Sequence, residues 1–278
     1  MSERISEMPL QAFNGASNGG YDGKLNLNLT TGVTYREIYL QLTNLAIGQI
    51  IRVSLTLNGD EIVRVTGEEL DMLRKSMGLH TRNDVLVIPF TDVSQKYLLS
   101  QDYSELVTMA GENLILNIET GARTAAQENK VAEITARAKF GMMRPQRTRL
   151  PRIFSDGMSG TRAGENRYTG LATQNKSSNP SRIQRIMILT DRCENLELQR
   201  NRQTIYDKNL VDNNFDLRTN KQVPPTDAYL YSAVQEGAAA TDALGITQNF
   251  EFIATLESAG DFNVLLQTVE VLKHPVGV

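Results

Sequence analysis

"SLTLNGDEIVRVTGEELDMLRKSMG", residues Ser54–Gly78, contains a complete strand, turn, strand and helix. Leucines alternate with serine and threonine up to Asn58-Gly59, the pair that best tolerates the positive φ angles of a type I′ turn. The β-branched run that follows predicts a second strand. Thr66 lies three residues before Glu69, which is the spacing of a capping box, and Gly78 is placed to end the helix. The stretch therefore predicts a β-hairpin followed by a short helix.

A second stretch repeats this order of elements. It reads "NLELQRNRQTIYDKNLVDNNFDLR", Asn195–Arg218, and it aligns with the first at an offset of 143 residues. The same offset brings "DVLVI" (84–88) onto "DAYLY" (227–231), and an offset of 147 brings "IYLQLT" (38–43) onto "RIMILT" (185–190). Nearly constant offsets over separated segments indicate an internal duplication. The alternative is a chance match, because all β domains share the alternation of apolar and polar residues.

The remaining pattern predicts an all-β chain built from two tandem jelly-roll β-sandwiches or barrels, a double jelly roll, with a few short helices. Short strands at regular spacing favour this class. An immunoglobulin-like sandwich fits the pattern less well, since the chain has no tryptophan and one cysteine. We expect four parts, which are an N-terminal arm (1–20), a first jelly roll (21–142), a linker or excursion loop (143–180) and a second jelly roll (181–278).

Composition excludes several classes of protein. Apolar residues make up 40% of the chain and charged residues 22%, as in ordinary globular proteins. The single cysteine, Cys193, rules out an intrachain disulfide. The first residues, "MSERISEMPLQAF", lack the apolar core of a signal peptide, and no apolar run approaches the ~18 residues of a membrane span.

Candidate catalytic groups are sparse, so we predict that the chain is not an enzyme. The two histidines, His80 and His274, have no partners at the spacing of metal ligands. Cys193 has no neighbouring histidine to activate it. The predicted set of catalytic and cofactor-binding residues is empty, and no metal ligands can be assigned.

Four arginines form the one unusual charge cluster. Arg144, Arg147, Arg149 and Arg152 fall within nine residues that contain no acid. We expect them to make an interdomain or intersubunit contact. A phosphate contact and a solvated linker are the alternatives, but the net charge of −3 argues against direct, sequence-specific binding of nucleic acid.

Taken together, these features resemble the double jelly-roll major capsid proteins of tailless icosahedral, membrane-containing phages, the corticovirus-like coat proteins. The resemblance rests on "KLNLNLTTGVTYREIYLQLTN" (24–44), "IRVSLTLNGDEIVRVTGEELDMLR" (51–74), the second copy of the hairpin and helix, and the last two strands. It extends over most of residues 21–275 and excludes the arginine-rich segment.

The resemblance implies a structural role as a major capsid protein. Chains of this family form homotrimers with a pseudo-hexagonal outline, which tile the facets of an icosahedral bacteriophage shell beside neighbouring capsomers and a penton, or vertex, protein. It also implies an internal viral membrane or minor membrane proteins as partners, and synthesis and assembly in the host cytoplasm. No cofactor is required. The family allows a structural divalent cation, calcium, for which the acids Asp60, Glu61, Glu257 and Asp261 are loop candidates.

A second function class remains open at this point, a β-sandwich that binds carbohydrate or a receptor, as in a viral spike. Sugar-binding sites usually stack the sugar ring on exposed aromatic side chains. Aromatic residues make up only 6% of this chain and tryptophan is absent, which weakens the alternative.

Overall fold

The computed structural model describes residues 6–15, 20–169, 179–234, 243–245 and 250–277. We call residues 6–141 the first half and residues 146–277 the second half. The strands of the first half are β1 (Ser6–Pro9), β2 (Lys24–Leu29), β3 (Thr34–Thr43), β4 (Ile50–Leu57), β5 (Asp60–Val65), β6 (Val85–Pro89), β7 (Leu106–Val107), β8 (Leu114–Thr120) and β9 (Glu133–Phe140).

The second half repeats this series. Its strands are β10 (Gln146–Gly160), β11 (Gly164–Tyr168), β12 (Ser181–Leu189), β13 (Cys193–Arg200), β14 (Gln203–Asn209), β15 (Tyr229–Ser232), β16 (Leu244–Gly245), β17 (Phe250–Leu256) and β18 (Gly260–Gly277). The helices are α1 (Gly67–Ser76), α2 (Leu98–Gln101) and α3 (Leu210–Thr219), with short 3₁₀ turns at Ile47–Gln49, Asp102–Ser104 and Ala125–Gln127.

The hairpin and helix predicted from the sequence are present in both halves. Asn58 and Gly59 have φ angles of 52° and 85° between β4 and β5, as a type I′ turn requires. The main-chain N–H of Glu69 donates to the Thr66 hydroxyl over 3.2 Å, and the Thr66 N–H donates to the Glu69 carboxylate over 2.8 Å. This capping box starts α1. In the second half Asn209 caps α3 through the N–H of Asp212.

Each half is a sandwich of two sheets with the same strand order. In the first half the sheets run β1-β9-β3-β6 and β5-β4-β8-β2, and in the second half β10-β18-β12-β15 and β14-β13-β17-β11. The halves are continuous, because β10 pairs in parallel with β5 at Ile153↔Val63 and Phe154↔Arg64. This pairing joins one sheet from each half into a nine-stranded sheet. The all-β prediction is confirmed, although these sheets do not close into barrels.

The ladders also fix the true offset between the copies of β3 and β12. Ile38 lies opposite Ile88, whereas Ile186 lies opposite Tyr231, which is the residue 143 positions after Ile88. Ile38 therefore corresponds to Ile186, an offset of 148 rather than the 147 expected from the sequence. A shift of one residue exchanges the two faces of a strand, so only the structure assigns the buried face correctly.

The structure corrects the expectation for residues 143–180. Residues 146–160 and 164–168 of this segment are β10 and β11, the first two strands of the second half, instead of a linker or loop, and residues 170–178 lie outside the described residues. Its proline and arginine content concealed the strand. Pro151 lies before the two residues that pair with β5. At this point β10 pairs with β18 alone among the described strands, and such an edge position tolerates a missing N–H.

The predicted arm at residues 1–20 is also partly a strand. Residues 6–9 form β1 and add to the edge of β9 through four opposed residue pairs. Residues 1–5 and 16–19 of the expected arm lie outside the described residues.

Candidate functional site

The two halves of the chain contact each other through one face of a sheet. The outer face of the sheet β10-β18-β12-β15 lies against the first half. Apolar side chains of this face pack in the core of the first half and not in the core of their own half. They include Ile153, Met187, Leu230 and Leu265. All four are at most 1% exposed. The halves therefore share buried apolar surface, which is the principal source of stability in such contacts.

A buried ion pair crosses this contact. The guanidinium of Arg185 on β12 donates to the carboxylate of Asp92, which follows β6 in the first half, and to Gln267 over 2.7 Å. Ser94 and Gln95 also donate to Asp92. Burial raises the pKa of the Asp92 carboxyl, but the charge of Arg185 and the hydrogen bonds outweigh burial and hold the pKa below its usual range. Asp92 therefore stays ionised, and the pair fixes how the two faces meet.

The structure places Arg152 at the junction of the two halves. Its guanidinium donates to Asp60 of the β4–β5 turn over 2.6 Å, to the carbonyl of Glu61 over 3.2 Å and to Glu270 of β18 over 2.9 Å. Asn179 donates to the other oxygen of Glu270 over 2.6 Å. Arg152 thus bridges an acid of each half.

Arg147 also contacts the first half. It donates two hydrogen bonds to Glu112, of 2.7 and 2.8 Å, and one to the carbonyl of Val107. The Arg149 guanidinium lies 4.3 Å from the centre of the Tyr103 ring, a cation–π contact. Both arginines precede the stretch of β10 that pairs with β5.

Arg144 closes a four-membered charge network. It lies 3.3 Å from Glu105 and 3.5 Å from Asp102, and both acids also face Arg36 at 3.1 and 2.7 Å. Burial and the charge of Asp102 raise the pKa of Glu105 to about 7. All four predicted arginines therefore contact first-half residues within one chain, and a role between subunits stays a prediction.

The sequence pattern did not point to Asp92, Arg185 or Glu105. Their counter-ions lie far away in sequence, since Asp92 and Arg185 are 93 residues apart and Arg36 and Glu105 are 69 residues apart. Arg185 carried a usable signal, a charged residue within the apolar run of β12. A charge in a buried strand usually requires a counter-ion elsewhere in the fold.

The candidate chemical groups occupy ordinary positions. His80 and His274 are exposed loop and strand residues. Cys193 is buried, and burial raises the pKa of its thiol to about 12, so it is not a thiolate nucleophile near neutral pH. Among the residues the structure describes, no three His, Cys, Asp or Glu side chains are grouped to hold a metal ion. None of the described helices has the length and apolar character of a membrane span.

Three of the four acids that are loop candidates for calcium have other side-chain contacts. Asp60 forms an ion pair with Arg152, and Glu61 forms one with Arg52 at 2.9 Å. Asp261 accepts a hydrogen bond of 2.6 Å from Ser159. These contacts leave the question of a divalent cation untested.

Several strand edges and one helix face are open in the part of the chain that the structure describes. β1 and β14 each end their sheet, among the strands that the structure describes. Beside β14, the helix α3 exposes Val211 and Phe215 by 77% and 71%. Met8 on β1 is 54% exposed. Open edges and exposed apolar side chains are typical of surfaces that bind another chain.

Comparison with known proteins agrees with this architecture. A family model, the viral coat protein P2 N-terminal domain, matches residues 8–141, and a second one, the viral coat protein P2 C-terminal domain, matches residues 150–272. A search of curated protein sequences finds no match.

Solved structures with the same fold come from several viruses. The major capsid protein P2 of Bacteriophage PM2 is similar with a TM-score of 0.82 and 16% identity, over 98% of this chain and 99% of that one. The STIV MCP matches with a TM-score of 0.66 and 11% identity, over 96% and 97%. The Faustovirus major capsid protein matches with a TM-score of 0.61 and 6% identity, over 98% and 90%.

The fold comparisons confirm the double jelly roll, and the two family models together extend over nearly all of the chain. They confirm the resemblance seen in the sequence and the prediction of a structural protein instead of an enzyme. They decide against the carbohydrate- or receptor-binding alternative. They also support self-association, since a coat is built from many copies of its protein. The chain belongs to the viral coat protein P2 family, and it is a major capsid protein, a structural component of a virion.

Proposed function

We propose that the chain forms homotrimeric capsomers with a pseudo-hexagonal outline, which tile the flat facets of an icosahedral shell. The observation that carries this proposal is the repeat of one strand order in two halves that are joined edge to edge. Three copies would present six similar lobes. An object with six similar sides packs against six neighbours in a plane, although its true symmetry is three-fold.

The test is the mass of the purified protein in solution, measured by light scattering, with negative-stain images of the same peak. Three chains of 30.9 kDa give about 93 kDa, and the particles should have hexagonal outlines. A monomer or dimer that persists over a range of protein and salt concentrations would refute the trimer.

We further propose that the partners in the shell are neighbouring capsomers and a separate penton protein, and that an internal membrane or its minor membrane proteins lie beneath. The net charge of −3 supports a layer between coat and genome, because a coat that contacts the genome usually carries a polybasic segment. Co-flotation of the trimer with anionic and with zwitterionic vesicles tests the membrane contact. Binding of the trimer to duplex DNA at physiological salt, without binding to either vesicle, would contradict it.

A structural calcium ion between subunits and assembly in the host cytoplasm complete the proposal. Calcium would join carboxylates that like-charge repulsion otherwise keeps apart. If calcium holds the capsomer together, EDTA should lower the mass from about 93 to 30.9 kDa and added calcium should restore it. An unchanged mass in EDTA would refute the calcium contact within the capsomer.

A further inference from the structure

The contact between the halves provides a template for a contact between copies. Within the chain, β10 covers the open edge of β5. The strand that corresponds to β10 in the first half is β1, since both begin a four-stranded sheet of the same order. The strand that corresponds to β5 in the second half is β14, which follows it by 143 residues. Among the described strands that end a sheet, β1 and β14 are the pair that corresponds to β10 and β5.

The ladders give the corresponding residues on β1. Met8 lies opposite Ala138, and Phe154 lies opposite Leu266. Ala138 and Leu266 in turn lie opposite Ile38 and Ile186, which correspond to each other. Met8 therefore stands where Phe154 stands in the second half.

Exposure differs sharply between the two positions. Phe154 is fully buried where β10 meets β5, whereas Met8 is 54% exposed. Arg64, the partner of Phe154 on β5, corresponds to Asp207 on β14, which is exposed. If β1 of one copy paired with β14 of another in the same way, Met8 would lie opposite Asp207.

The helices beside these strands follow the same relation. Within the chain, Glu69 on α1 accepts hydrogen bonds from Ser155 over 2.5 Å and from Asn263 over 3.4 Å. The helix α1 therefore contacts the second half. The residue of α3 that corresponds to Glu69 is Asp212, which is exposed. Phe215, which corresponds to the partly buried Met72, is 71% exposed.

The opposing face in the first half carries charged side chains of both signs. In the first half, Arg137 and Lys139 occupy the positions that correspond to Leu265 and Gln267 of the second half. Their side chains are 46% and 34% exposed. Both lie within 5 Å of the centre of the Tyr39 ring, at 4.5 and 4.9 Å. The face also contains Glu7, which pairs with Arg137, and Glu37, which pairs with Lys139, so both cations already have a counter-ion within the chain.

We propose that this face, with β1 at its edge, binds β14 and α3 of a second copy of the chain. Arg137 and Lys139 of one copy face the acids Asp207 and Asp212 of the other, and Val211 and Phe215 are covered. The contact within the chain, where β10 pairs with β5 beside α1, selects this partner surface. Because two different surfaces meet, the contact is heterologous, and it closes into a ring of three if each contact rotates the chain by a third of a turn. The inference rests on the proposed trimer and identifies its interface.

A disulfide cross-link tests the register. Oxidation of the M8C/D207C variant with oxidised glutathione should give covalent dimers and trimers on a non-reducing gel, and neither single variant should. Native Cys193 is buried and does not compete. The control M8C/D191C carries its second cysteine at an exposed position outside β14, and it should stay monomeric on the gel.

A surface variant tests the helix. F215D should lower the mass in solution threefold, from about 93 to 30.9 kDa, with an unchanged circular dichroism spectrum. V131D, with a similarly exposed apolar residue at 67%, should remain trimeric. A trimer in F215D together with no cross-link in M8C/D207C would overturn the interface and leave the trimer intact. A monomeric wild-type protein would instead refute the proposed trimer.

Discussion

Replacing Arg185 with methionine tests whether the buried ion pair between the halves sets the stability of the chain. The side chains of Arg185 and Asp92 are each 1% exposed, so R185M leaves a carboxylate buried without its counter-ion. Removing one partner of a buried pair typically destabilises a protein by about 3–5 kcal/mol. We expect the loss to lie near the lower end, since Ser94 and Gln95 still donate to Asp92.

The assay is urea unfolding followed by far-ultraviolet circular dichroism, because the chain has no tryptophan to report by fluorescence. The double variant D92N/R185M should be more stable than R185M, as it removes the unpaired charge. K24M is the matched control, since Lys24 pairs with Glu119 while it is 82% exposed, and its loss should stay below about 1 kcal/mol.

The pH dependence gives a second readout. In the wild-type protein the pKa of Asp92 is lowered, so its stabilising contribution is present above the unfolded pKa and is lost as the pH falls. In R185M the Asp92 carboxyl stays buried but has lost the guanidinium. We therefore expect the pKa of Asp92 to rise and the destabilisation of R185M to grow as the pH rises. The deficit of R185M should therefore be larger at neutral pH than near the unfolded pKa of about 4. A deficit below about 1 kcal/mol at neutral pH, or one that does not change with pH, would refute the reasoning.

Three further variants test other contacts. The pKa of Glu105 is raised to about 7, so between pH 4.5 and about 7 the folded protein holds a proton that the unfolded chain has released. The stability that this proton contributes is lost as the pH rises towards 7. E105Q should therefore gain stability relative to the wild type as the pH rises from 5 to 8, and a constant difference in urea midpoints would contradict this. R147M should lower the unfolding free energy by about 3 kcal/mol, because it leaves the Glu112 carboxylate, which is 9% exposed, without its counter-ion, while Asn58 and the Met109 N–H still donate to it. A loss below about 1 kcal/mol in the urea assay would contradict this. T66A removes the cap of α1 and should lower stability by about 1 kcal/mol in thermal unfolding, whereas an unchanged midpoint would show that the cap is dispensable.

The sequence predicted the elements whose causes are local. The Asn58-Gly59 turn and the Thr66 cap depend on residues within four positions, and both formed as expected. The duplication extended these predictions to the second half. The strand β10 was missed because its stability comes from pairing with β18 and β5, which lie far away in sequence and override the preferences of Pro151.

The arginine cluster shows a different limit. Its charge was evident from the sequence, but the partners of Arg147 and Arg152 lie 35 to 118 residues away, beyond any spacing rule. A chain that buries arginines in this way must supply acids at the matching places, and only the folded structure shows where they are.

The divergence of the two copies follows from how each contact forms. The face of the second half, with Met187 and Leu265, meets its partner within one chain, where the effective concentration is high and the contact is permanent. Permanent contacts tolerate a largely apolar face. The corresponding face of the first half, with Tyr39 and Arg137, lies open in the single chain. A charged and aromatic face keeps such a surface soluble before assembly and still allows it to bind a complementary one. Duplication therefore conserved the strand order in both halves, while the composition of each face adapted to the separate chain.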